Sequence, residues 1–153
     1  GHAVLHSGTV GAALTAASYG TPAAAFSLHT GGSGTNWDTA ADVVRLVLER
    51  GSWRRRTGSV LNVNVPDIEP RRLRGVSVAR LAPFGAVTVN VTEIGEGYVS
   101  MQYSAPEERG DAGTDVALLE DGFATITVLD PIAELPDADL ASLTGPLERA
   151  GDR

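Results

Sequence analysis

Between Ala23 and Pro66 the chain alternates two kinds of periodicity, and this restricts the fold more than any other feature. "AAAFSL", Ala23 to Leu28, is a short apolar run bounded by a turn. "SVLNVNVP", Ser59 to Pro66, alternates in period two and stops at a proline. Both read as strands, the first as a central one of a parallel sheet. Between them, Trp37 to Arg50 places Val43, Val44, Leu46, Val47 and Leu48 on an apolar stripe with Gly51 just beyond, which predicts an amphipathic helix. Upstream, Val4 to His6 reads as a short strand. Val10 to Tyr19 reads as a helix with the face Val10, Ala13, Leu14 and Ala17, stopped by Gly20 and Pro22. Strand, helix, strand, helix, strand is the order of an α/β fold with a parallel sheet.

Past Pro66 the pattern changes. "GVSVARLAPFG", "AVTVNVTEIG" and "GYVSMQYS" are strand-like runs separated by glycines, as hairpins are. "ERGDAGTD" reads as a polar loop, Val116 to Leu119 as one helical turn, and Phe123 to Leu129 as a strand. Three regions are therefore expected: residues 1–66 as the second half of an α/β domain, 67–131 as a β-rich hairpin region, and 132–153 as a polar tail. Because Ala3-Val4-Leu5 reads as a core strand two residues from Gly1, the natural chain is expected to extend upstream. Doubly wound sheets usually need more strands than these.

At 153 residues, with 42% hydrophobic and 20% charged residues, the chain has the composition of a globular domain with a core. No apolar run is long enough to span a membrane, no charged stretch followed by an apolar one opens the sequence as a secretory leader would, and no cysteine offers a disulfide or thiolate ligand. A cytoplasmic protein is expected. The net charge of −7 argues against a duplex nucleic-acid partner; the clusters Arg54–Arg56 and Arg71–Arg74 lie beside turns, where exposed charge is ordinary.

Ser7-Gly8-Thr9 stands where the first strand should enter the first helix. First-turn amides lack partners within the helix, the dipole adds positive character there, and a glycine lets an oxyanion approach. The same residues also make an ordinary capping turn. Spacing alone leaves both readings open.

The run "VLHSGTVGAALTAASYGTPAAAFSL", followed by "VLNVNVP" and later by "GTDVALLEDGFATIT", resembles the stationary-phase survival protein family, SurE. "LAPFG" and "GEGYVSM" fit its hairpin region, so the likeness runs from about Gly1 to Leu129. The resemblance implies the C-terminal part of a Rossmannoid three-layer α/β sandwich with a β-hairpin arm. It also implies a metal-dependent 5′/3′-nucleotidase that hydrolyses nucleoside monophosphates with Mg2+ or Mn2+ and assembles as a homodimer or homotetramer. By the same likeness Ser7, Gly8 and Thr9 hold the substrate phosphate, helped by the Thr9 and Val10 amides. The family's metal sits on an Asp-Asp pair, a serine and an asparagine. Here no Asp-Asp pair occurs and the first aspartate is Asp38. No metal ligand and no catalytic residue is expected in this chain, and alone it should hydrolyse little. The alternatives are a non-catalytic phosphate- or nucleotide-binding remnant, or an assembly module.

Other residues invite a functional reading but carry plainer ones. His2 and His6 have helical spacing on what reads as a strand, so a metal pair is not expected. His29 could reach a crevice at a strand end, though an exposed loop histidine is simpler. "GGSGTN" lacks the third glycine of a dinucleotide fingerprint. Trp37 is expected to anchor its helix in the core, Asn62 and Asn64 to satisfy backbone at a sheet edge, and Asp115 to cap the turn after it.

Overall fold

The computed structural model describes residues 1–29, 35–51, 58–83, 88–104 and 111–130. The "GGSGTN" loop falls mostly outside these residues, as do the Arg54–Arg56 cluster and the expected tail. Among the described residues six strands and three α-helices follow in chain order. Helix α1 covers Gly8–Ser18, strand β1 Ala23–His29, helix α2 Trp37–Arg50 and strand β2 Val60–Pro66. Then come β3 (Val76–Val78), β4 (Thr88–Gly95), β5 (Tyr98–Ser104), α3 (Asp115–Glu120) and β6 (Ala124–Leu129).

The main sheet has the order β1-β2-β6-β3. β1 runs parallel to β2 and β3 parallel to β6, whereas β6 enters antiparallel to β2. The sheet is thus mixed, and it draws strands from both sides of Pro66. β3, expected in a hairpin, instead pairs with β6. The hairpin expectation holds for β4 and β5, which form their own antiparallel pair around a two-residue connection, Glu96-Gly97.

Alternation sorts the sheet's side chains onto two faces. On one face, Ala23 and Ala25 of β1 and Val60 of β2 pack against Val10, Ala13 and Ala17 of α1. These are small residues, which let the helix lie close to the strands. On the other, Val63, Val65 and Ala124 meet Val43 and Val47 of α2. One helix on each side of one sheet makes three layers, the expected α/β sandwich.

Helix α2 has the bounds its periodicity gives. Gly51 closes it with φ of 56°, a left-handed conformation that favours glycine. Its start is tied to the end of β2: Asp67 Oδ1 accepts from the Asn36 backbone N–H at 2.6 Å and from Asn36 Nδ2 at 2.8 Å. The fully buried Thr39 hydroxyl donates to the Ile68 carbonyl at 2.5 Å. Trp37, expected in the core, is 65% exposed and lines an open apolar groove of about 670 Å³ with Phe26, Ala40, Val44 and Leu48. Among the described residues β1 is the outermost strand on this side of the sheet.

The expected strand at Val4–His6 is a 3-10 helix, His2–His6. Val4 N–H bonds the Gly1 carbonyl and Ser7 N–H the Val4 carbonyl, while His2 N–H donates to the Ala82 carbonyl at 3.0 Å. An apolar run this short does not distinguish a strand from one helical turn.

In the hairpin, the Tyr98 hydroxyl donates to Glu93 Oε1 at 2.8 Å. That bond, and to a smaller degree desolvation, raises the Tyr98 pKa above the usual 10.0. A raised pKa in the folded state stabilises the hairpin below the unfolded tyrosine pKa, and the contribution is lost as pH climbs through the folded value. Ultraviolet titration should therefore show a tyrosine ionising later than an ordinary one, and Glu93→Gln should bring it back toward 10.0. An unchanged titration in that variant would dismiss the bond as the cause.

Candidate functional site

Ser7 is the N-cap of α1: its backbone is extended, and its Oγ accepts from the Val10 N–H at 3.2 Å. The helix begins at Gly8 rather than Val10, so Gly8 and Thr9 occupy its first turn. This corrects two expectations. The turn joins a 3-10 helix, not a strand, to α1, and the Val10 amide already has a partner in Ser7. The first-turn amides that remain for a ligand are those of Gly8 and Thr9. Because the Ser7 oxygen accepts, its own proton is left to donate outward. Gly8 is not among the positive-φ glycines, and a Cβ there would meet nothing within 4 Å. Its lack of a side chain leaves open approach from outside and serves no internal packing.

Below this turn the α1 face of the sheet changes character. In register across the strands lie Ala23, Val60 and Leu129, then Ala25, Asn62 and Thr127, then Ser27, Asn64 and Thr125. The face is apolar under the body of α1 and polar toward the C-terminal end of β1. A cavity of about 200 Å³ opens there, lined by Ser7, Ser27, His29, Asn62, Asn64 and Asp115 among others. It fits the rule that open α/β sheets take ligands beyond the carboxyl ends of their parallel strands.

The asparagines do not lie at a sheet edge. β2 is an interior strand between β1 and β6, and Asn62 is 1% exposed. Its Nδ2 and Oδ1 are both buried without a hydrogen-bond partner among the described residues, as is Thr125 Oγ1. The neighbouring Thr127 hydroxyl, by contrast, donates to the Ala79 carbonyl at 3.0 Å.

Asp115 is not the cap of α3; that is Thr114, whose hydroxyl oxygen accepts from the Ala117 N–H. Asp115 is instead a buried clamp. Its Oδ1 accepts from the Ala82 and Val116 amides, both at 2.9 Å, and its Oδ2 bonds the Gly1 nitrogen. These bonds hold the N-terminal segment, and so the approach to Ser7, against the start of α3. Sequence reasoning missed this residue's role because two of its partners lie far from it in the chain.

His29 ends β1 and borders the cavity, exposed, while His2 and His6 lie exposed on the 3-10 helix. Among the described residues no group of three or more His, Asp or Glu is placed to hold a metal ion. The carboxylate bordering the cavity, Asp115, is already bonded on both oxygens. The described residues therefore do not fit a divalent cation by themselves. No described helix is long and apolar enough to cross a membrane.

The Ser7-capped end of α1 thus borders a polar cavity at the C-terminal end of β1 in an α/β sandwich. Comparison with known proteins names the family. The family model described as "Survival protein SurE" matches residues 1–85. A "5′-nucleotidase SurE" of Marinobacter nauticus is 38% identical over 139 residues, covering 83% of this chain and 51% of that protein. A "5′/3′-nucleotidase SurE" of Salmonella typhimurium is 37% identical over 134 residues, 84% of this chain and 51% of its own length. The crystal structure of the SurE protein from Aquifex aeolicus superposes with a TM-score of 0.61 at 25% identity, covering 94% of this chain and 58% of that one. The chain belongs to the SurE family. It spans about half the length of the curated relatives it matches.

Proposed function

We propose that this chain supplies the phosphate-holding wall of a phosphomonoesterase that hydrolyses nucleoside monophosphates, a 5′/3′-nucleotidase. One observation carries the reading: the Ser7 cap of α1 opens onto a polar cavity in a chain 38% identical to a protein named 5′-nucleotidase SurE. The Gly8 and Thr9 amides, the Ser7 and Thr9 hydroxyls and the dipole of α1 hold the non-bridging phosphate oxygens. Donors fixed in this way favour charge that builds up on those oxygens during attack at phosphorus. In this reading a divalent cation, Mg2+ or Mn2+, would offset the phosphate charge and is held by residues other than those described. Residues 1–153 alone should release little phosphate from 5′-AMP, even with either cation added. The protein is read as cytoplasmic and as a homodimer or homotetramer. The exposed Ile94, Tyr98 and Val99 of the hairpin support such an assembly.

Gly8→Ala tests the cradle. The added methyl meets nothing within 4 Å, so α1 should keep its stability or gain up to about 1 kcal/mol from alanine's better helix propensity. In this reading the methyl crowds the approach of an oxyanion to the first-turn amides, so inorganic phosphate should bind about tenfold more weakly, a loss of about 1.4 kcal/mol. Calorimetric titration with phosphate measures it. Unchanged affinity in a folded Gly8→Ala protein would remove this turn from the site.

A further inference from the structure

The phosphate reading leaves the Asn62 side chain unused. It lies 1% exposed on an interior strand, yet both polar atoms of its amide lack a partner among the described residues, and it borders the same cavity as Ser7. A buried amide with both ends unpaired is costly, and an apolar side chain of like size would avoid that cost. A partner therefore has to come from the cavity.

The chemistry of the amide narrows what that partner is. Nδ2 only donates and Oδ1 only accepts. A phosphate dianion has acceptors alone: it would satisfy Nδ2 and repel Oδ1. A cation would satisfy Oδ1 and leave Nδ2 bare. A hydroxyl both accepts and donates, so one hydroxyl or two neighbouring ones answer the whole amide. The polar groups nearest in register are also neutral: Thr127 lies opposite Asn62, and Ser27 and Thr125 lie opposite Asn64. The carboxylate bordering the cavity is turned to amides and the Gly1 nitrogen.

We propose that Asn62 is a specificity-determining residue that bonds a sugar hydroxyl of the bound phosphate ester, with water in that place when no ester is bound. This rests on the phosphate reading above and adds to it a preference for hydroxylated esters. A site built around a hydroxyl rejects the analogue lacking it more strongly than an apolar pocket rejects an extra methylene.

The experiment is calorimetric binding of inorganic phosphate, 5′-AMP and 2′,3′-dideoxyadenosine 5′-phosphate to the protein and to Asn62→Leu, with circular dichroism to verify folding. The expected result is that 5′-AMP binds about tenfold or more tightly than the dideoxy analogue, and that the ratio collapses toward one in Asn62→Leu. Equal affinities in the unaltered protein, with phosphate still bound, would mean that Asn62 holds water only and would overturn the inference while sparing the phosphate site. Failure of all three ligands to bind would overturn both. A preference that survives Asn62→Leu would also overturn the role of Asn62. Should that variant not fold, Asn62→Asp, of the same shape but without the donor, takes its place.

Discussion

Replacing Asp115 by alanine should lower the melting temperature by roughly 6–12 °C, the equivalent of about 3 kcal/mol for a chain of this size. The carboxylate is 1% exposed and accepts from the Ala82 and Val116 amides while bonding the Gly1 nitrogen. Truncation removes the acceptor but leaves those donors in place, and buried donors without partners carry the full desolvation penalty. Asp115→Asn keeps one oxygen as an acceptor for the amides but turns an NH2 toward the Gly1 nitrogen, so it should lose about half as much. The ordering native, Asn, Ala in a calorimetric melt is the signature of a hydrogen-bonding clamp. Alanine and native proteins melting within about 2 °C of each other would mean the three segments stay together without it. Functionally, the alanine variant should also loosen the 3-10 helix that leads into Ser7 and so weaken phosphate binding.

The second large effect is expected at Ala25. This residue is 1% exposed and lies within the cluster that joins α1 to the sheet, together with Ala13, Ala17, Ala23, Val10 and Val60. Small side chains set the distance between helix and strands, and leucine at this position has nowhere to go without pushing α1 outward. Overpacking of this kind costs typically 1–3 kcal/mol, so Ala25→Leu should destabilise by about 2 kcal/mol. The displacement also lifts the Ser7 cap from the polar end of the sheet, and phosphate affinity should fall with stability. Ala12→Leu, on the exposed side of the same helix, should change stability by no more than about 0.5 kcal/mol. Equal melting temperatures for the two variants would show that the helix is not held at the distance alanine imposes.

What the sequence disclosed follows from how local each decision was. Helix α2 was legible to the residue, because a strong 3.6 period is followed by a glycine whose φ of 56° closes the helix. β1, β2 and the β4–β5 hairpin were legible for similar reasons: period, bounding turns and glycines act within a few residues. Val4–His6 was not, since so short an apolar run fits a strand or a helical turn equally, and His2 is also tied to Ala82 on another segment. The alternation of Asn62 and Asn64 was legible, but not their burial. That depends on β6 pairing along the far side of β2, and nothing within β2 announces an antiparallel neighbour from sixty residues downstream. Trp37 shows the limit of residue preference: a large aromatic at the start of an amphipathic helix favoured the core, yet it lies exposed in an open groove. For the site, Ser7 was legible as a helix cap, and the capping geometry is what the structure displays. The cavity beneath it needed the polar rows of three strands brought into register.

The strand order β1-β2-β6-β3 carries a consequence for biosynthesis. Among the described residues β3 joins the main sheet through β6, so its place depends on β6, which itself rests on β2. While the chain emerges from the ribosome, Val76–Val78 must wait for Ala124–Leu129 before it has a partner, and the Asn62 row lacks its Thr127 neighbour for the same interval. The C-terminal portion of this fold is therefore completed only after residue 129 is free. A nascent chain arrested before that point carries β2 with an unpaired backbone edge, a state prone to pair with the wrong strand.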